Sequence, residues 1–337
     1  MKIYIYPALI AGLVAFVITP LVRALARRLG IVDVPDPRRS GALHTLPTPL
    51  LGGLAIYAAV AFSALVAPER DPRLAALLGP GALILAFGLM HHLRPLRPWV
   101  WLALQCAVAA AAVGLGLRVE LVASSFLNVL LSVGWLLVVM NAVMLVNDLS
   151  AAITGTAVVG CAALFVLSRP DDPFGGDRFV ALLSCLLGSA CVGFLGYNLV
   201  PASIALSFGG RALLGLWLGG LLAVGPWRAP DTVQMAIAPL LVLALPLFNA
   251  ILLARSRPTP LVPARRRAPT CLTQRLLAAG LTMEQALCLQ YGVGLLGAVV
   301  AALGPVLRAP MWGIALCLLV ATLWLLGSRV MRGEVHG

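Results

Sequence analysis

Between Met140 and Gly155 the chain reads MNAVMLVNDLSAAITG. Asn141, Asn147, Asp148 and Ser150 thereby stand at or beside the end of an apolar run, SFLNVLLSVGWLLVVM. A second run, AAITGTAVVGCAALFVL, begins almost at once. Unpaired polar groups at membrane depth cost several kcal/mol, so such a cluster marks a site or a contact between helices. Asp148 is the sole acid of this neighbourhood. Asp148 and Asn147 are the candidates for catalytic work here.

Other stretches could meet an anion. IVDVPDPRRSGALHTLPTPLLGGLAI, residues 31–56, has an extended path set by its prolines and carries Arg38, Arg39 and His44. These side chains suit a phosphate, or simply a headgroup-facing basic loop. In GLMHHLRPLRPWVWLALQ, residues 88–105, His91 and His92 are adjacent and so do not share one helical face. They read as an interfacial polar turn or as participants in chemistry, rather than as two ligands of one metal. YNLVPASIALSFGGRALLG, residues 197–215, is a Pro- and Gly-containing break between spans. Residues 254–282 carry Arg265, Arg266 and Arg267, a run that would grip a lipid phosphate or only obey the positive-inside bias.

The elements that must position these groups are membrane spans. Of 337 residues, 61% are hydrophobic and 11% charged, and the mean hydropathy is +1.01. Those values fit a polytopic membrane protein and not a soluble domain. At roughly 20 residues per span, the runs predict an all-α transmembrane bundle of about eleven helices. They start near residues 4, 50, 74, 99, 126, 151, 179, 212, 234, 287 and 311. Residues 1–337 form one integral-membrane domain, and residues 23–49 and 254–280 are its long cytoplasmic loops. The amino-terminal stretch lacks a small-residue cleavage site and reads as a first transmembrane helix. With the N-terminus outside, arginines favour the inner segments by about two to one, and most acids fall on the outer ones. The working face is then cytoplasmic. The net charge of +12 is distributed between apolar spans, which points to anionic headgroups or an anionic substrate and not to nucleic acid. The seven cysteines form no CxxC pair and read as small buried hydrophobes.

In their order, these motifs resemble the polyprenyl-phosphate N-acetylhexosamine-1-phosphate transferases, a family that includes the phospho-N-acetylmuramoyl-pentapeptide transferases. The resemblance spans almost the whole chain. DVP-x-x-R and H-T-x-P-T-P-x-x-G-G are similar to the family's first cytoplasmic loop. NAV-x-LV and Gly155 match the frame of its asparagine- and aspartate-rich segment, and YNLVPA precedes the place of its Gly-Asp motif. PLFNAILL and QRLLAAGLT resemble the last catalytic helix and the end of the histidine loop. The resemblance implies a bacterial inner-membrane protein that moves a sugar-1-phosphate from a UDP-sugar to undecaprenyl phosphate with magnesium. It assigns substrate binding to Arg38, His44, Asn141, Asn198, Arg265, Arg266, Arg267 and Arg275.

The family's acids do not recur. His91-His92 stand where it carries an Asp-Asp pair. Asn147 and Ser150 stand where carboxylates are implied, with Asp148 one place off. Ser207-Phe208 replace Gly-Asp, and Asn249 replaces a further aspartate. Ala268, Cys271, Thr273 and Gln274 take the places of the histidine loop's ligands. Magnesium needs oxygen ligands, usually carboxylates, so no metal site and no cofactor are expected. The preferred reading is a degenerate member of the family that holds polyprenyl phosphate, or regulates an active transferase or another envelope-glycan protein. Two alternatives stay open. One is an active transferase in which His91, His92, Asp148 and arginines replace the metal. The other is a transporter of polyprenyl lipid.

Overall fold

The computed structural model describes residues 2–34, 47–68, 71–145, 150–168, 176–199, 201–225, 237, 239–255 and 271–303. The order is α1 (Lys2–Arg28), β1 (Val32–Asp33), β2 (Thr48–Pro49), α2 (Gly52–Val66), α3 (Arg73–Leu93), α4 (Pro98–Gly114) and α5 (Ser125–Leu145). Then follow α6 (Ser150–Leu167), α7 (Arg178–Asn198), α8 (Phe208–Val224), α9 (Ala244–Arg255), α10 (Leu272–Ala278) and α11 (Met283–Leu303). Six of these, α1, α3, α5, α6, α7 and α11, are long and apolar enough to cross a bilayer, and α2, α4, α8 and α9 are shorter apolar helices. The chain is a multi-pass helical membrane protein. Nine of the predicted spans coincide with these helices. The span placed near residue 234 begins outside the described residues and its later part is α9, and the span placed near residue 311 lies outside the described residues.

Helix α8, FGGRALLGLWLGGLLAV, is buried along almost its whole length. A helix apolar all round must be enclosed, and α2, α3, α5, α6 and α7 pack around it. Without a hydrophobic driving force between helices in lipid, close backbone approach supplies the contact. At Gly88 of α3 an added Cβ would run into Gly209 of α8, and at Gly209 it would meet the α3 backbone. Only two glycines allow that crossing. Pro80 interrupts the hydrogen bonding of α3. The nearby carbonyls of Leu77 and Leu78 accept from Trp217 Nε1 (3.0 Å) and the Tyr57 hydroxyl (3.1 Å). Helix α1 lies on α7 and α2, and α11 lies on α6.

Alternation of the helices defines two ends. The carboxyl ends of α1, α3, α5 and α7 and the amino ends of α2, α4, α6 and α8 share one, called here the site end. Its floor is tied by extended backbone. β1 pairs antiparallel with β2, Gly52 N–H donates to Ala205 O (3.0 Å), and Ala205 N–H donates to Pro49 O (2.8 Å). The break read at residues 197–215 is therefore shorter than expected, because Ser207 caps α8 through Gly210 N–H and starts the helix at Phe208. Within the stretch read as the loop 254–280, Cys271 caps the short helix α10. Cys161 and Cys191 are buried as expected, but Cys106 and Cys288 are exposed on the outer surface of the bundle. A thiol is apolar enough to face lipid there.

Candidate functional site

Each predicted site residue in the described part of the chain lies at the site end. His91 sits in the last turn of α3. Its Nδ1 accepts a hydrogen bond from Leu96 N–H (3.2 Å), which assigns the ring proton of the neutral imidazole to Nε2. Its ring stacks on Phe208 with centroids 4.8 Å apart, and Trp101 closes the group at 5.3 Å from His91 and 5.5 Å from Phe208. Thus the first turn of α8, the end of α3 and the start of α4 are joined by three rings. His92, next in sequence, points elsewhere on the helix, as adjacency requires.

Ser150 begins α6 and Asn198 ends α7. Both are buried, and their side chains hydrogen-bond reciprocally at 2.8 Å. Asn198, expected to touch substrate, is here held by Ser150. Asn141, on α5, donates to Gln105 Oε1 (3.1 Å) and to Leu137 O (2.8 Å), and Gln105 in turn donates to Met144 Sδ (3.1 Å). Gln105 was not singled out in the sequence. A lone amide in the apolar α4 was the signal that could have found it, since buried amides in a span seek a partner.

Asn249, on α9, accepts from Leu272 N–H at 3.0 Å, which fixes the start of α10. Thr273 and Gln290 bond to one another within the same buried layer (3.1 Å). Arg275 is 6% exposed and engaged within the bundle. Gly155 gives α6 and α11 their close contact, because an added Cβ would enter the Tyr291 ring, whose hydroxyl donates to Ala151 O (2.8 Å). Arg38, His44, Asn147, Asp148, Arg265, Arg266 and Arg267 lie outside the described residues. Among the described residues, no three His, Cys, Asp or Glu come together in a group able to hold a metal ion. Arg94, Arg97 and Arg211 give the site end a positive field, against Asp33 and Glu284 among its described acids.

A membrane bundle with a layer of buried polar side chains at one end of the helices, under a basic surface, is the class that fold and site define. The chain belongs to glycosyl transferase family 4, whose model matches residues 74–225. It is similar to a Bacillus subtilis protein named "Probable undecaprenyl-phosphate N-acetylglucosaminyl 1-phosphate transferase", 25% identical over 85% of this chain and 80% of that one. A decaprenyl-phosphate N-acetylglucosaminephosphotransferase of Mycolicibacterium smegmatis is 30% identical over 84% of this chain and 77% of its own. The protein of that name in Mycobacterium tuberculosis H37Rv is 28% identical over 65% of this chain and 60% of its own.

Proposed function

We propose that this chain keeps the lipid-phosphate-holding scaffold of its family without its magnesium-dependent transfer. It acts in bacterial envelope-glycan assembly at the inner membrane, with the site end cytoplasmic and the N-terminus outside. The relatives' names supply polyprenyl phosphate and an N-acetylglucosamine phosphate as the chemistry of the family site. The observation that carries the reading is the stacked contact of His91 with Phe208. These are two positions, 117 apart in sequence, at which the family resemblance implies carboxylates. Here they hold an imidazole and a phenyl ring that fill each other's space. Magnesium wants oxygen ligands in near-octahedral array, and neither ring offers one. The other replaced acids are likewise engaged: Ser150 with Asn198, and Asn249 with the start of α10. The residues described do not fit a magnesium ion, and no step is derived through one.

What remains suits an anionic lipid headgroup. Arginines at the site end supply charge-assisted hydrogen bonds that need no metal. The chain then serves as a lipid-phosphate carrier or as a partner that regulates an active transferase. The identity to named transferases over four-fifths of the chain favours a second reading, an active enzyme with Asp148, His91 and His92 in rebuilt roles. Native mass spectrometry of the purified protein with undecaprenyl phosphate, magnesium removed by chelation, tests the lipid-holding role. Retained lipid is expected, whereas retention only when magnesium is restored would overturn it.

A further inference from the structure

At the end of the bundle opposite the site there is a cavity of about 1590 Å³. Its wall is in part an overhang of α5 past the end of α8. The central α8 has 17 residues, while α3, α5 and α7 have 21. Gly88 of α3 meets Gly209 of α8, and each lies fifteen residues from its helix's far end (Arg73 and Val224), so these two helices end level. An added Cβ at Gly215 would meet Met140 of α5, which lies fifteen residues from Ser125 against nine from Gly215 to Val224. At about 1.5 Å rise per residue, α5 therefore runs on about 9 Å past α8. The well reaches Leu222 and Val224 of α8 and is walled by the first turns of α3 and α7 and, further along its helix, by Leu130, Leu131, Gly134 and Trp135 of α5.

The rim carries Arg73, Arg118 and Arg178 against Asp71, Glu120 and Asp177, so the named charges balance. Arg73 is fully engaged. Its guanidinium donates to Asp71 (2.8 Å) and to Asp177 (2.6 Å) and lies over the Phe179 ring at 4.4 Å. Asp177 also caps α7 through Phe179 N–H (2.9 Å). Arg118 and Glu120 form an exposed pair at 3.2 Å. Among the described residues the rim is charge-balanced and has no net pull on an ion. Guanidinium N–H donors and carboxylate acceptors stand together there and match hydroxyl groups, which both donate and accept. Trp135 lines the same well, held by its indole N–H on Gly219 O (2.9 Å), and presents an amphipathic aromatic surface. The wall is open toward lipid, because Leu130 and Leu131 of α5 line the cavity and are also 60% and 48% exposed.

The geometry points to a second binding site, for the uncharged, hydroxyl-rich head of a membrane amphiphile whose apolar chain leaves past Leu130 and Leu131. The cavity exceeds the about 300–1,000 Å³ of ordinary small-molecule pockets, as a headgroup with the start of its chain requires. This site is independent of the reading of the opposite end.

The test uses the full chain in phosphatidylcholine nanodiscs, titrated with dodecyl maltoside brominated on its alkyl chain, and separately with dodecylphosphocholine brominated alike. Tryptophan quenching by the maltoside should saturate, and Trp135→Phe should remove the saturating component. The double variant Arg118→Ala/Glu120→Ala, which changes only an exposed pair, should bind about tenfold more weakly. Equal quenching by the two heads would overturn the proposal, as would quenching that rises in proportion to amphiphile. So would a saturating component that survives Trp135→Phe, or unchanged affinity in the double variant.

Discussion

His91 and Phe208 test how far single side chains decide the character of the site end. Aromatic pairs in such geometry contribute about 0.5–1.5 kcal/mol beyond their buried area. A double-mutant cycle over His91→Ala and Phe208→Ala, read by thermal unfolding in detergent, is expected to give a coupling of that size. Trp101 emission should change in both single variants, since it touches both rings. A coupling near zero would mean that the two side chains adjoin without holding one another. That His91 and Phe208 stand where the resemblance implies acids was legible in the sequence through the frame of the surrounding motifs. Their mutual contact was not, because nothing periodic relates residue 91 to residue 208. The same holds for Ser150 and Asn198, which were noted separately and whose pairing depends on how α6 and α7 approach.

Among elements, the crossing of α3 and α8 is set by Gly88 and Gly209. Gly209→Leu should separate the helices and lower stability by about 1–3 kcal/mol or more, as overpacking does. Gly79 of α3, with open space around it, is the control at which Ala should be nearly silent. At the opposite end Arg73 binds Asp71 and Asp177 and so joins the amino ends of α3 and α7. Burial opposes the charge on Asp71, but the hydrogen bonds and charge of Arg73 prevail and hold its carboxyl below the usual range. The unfolded chain therefore takes up the proton first as pH falls. The stabilisation is complete above the unfolded value of about 3.9 and is lost as pH drops through the folded one. Asp71→Asn should lower Tm at pH 7 and flatten its decline below about pH 4. An unaltered acid limb would show that the Asp71 charge does not contribute. Spans were legible from apolar runs of bilayer length, and α8 was recognisable as Gly-rich. Its central position follows from packing, which hydropathy does not encode.

For the whole molecule, the membrane bundle was legible from apolar runs of bilayer length, and family membership from the order of the loop motifs along the chain. The cavity at the Arg73 end was not, because it depends on how far α5 is shifted past α8 when the helices pack. The chain is a polytopic member of glycosyl transferase family 4 with a polar, basic site end and a cavity at the other end. The central proposal is that the scaffold persists without magnesium-dependent transfer. The most direct measurement is UMP release from UDP-N-acetylhexosamines by the purified protein with undecaprenyl phosphate, with and without magnesium. The account predicts no magnesium-dependent UMP. Magnesium-dependent release that disappears in Asp148→Ala would contradict it.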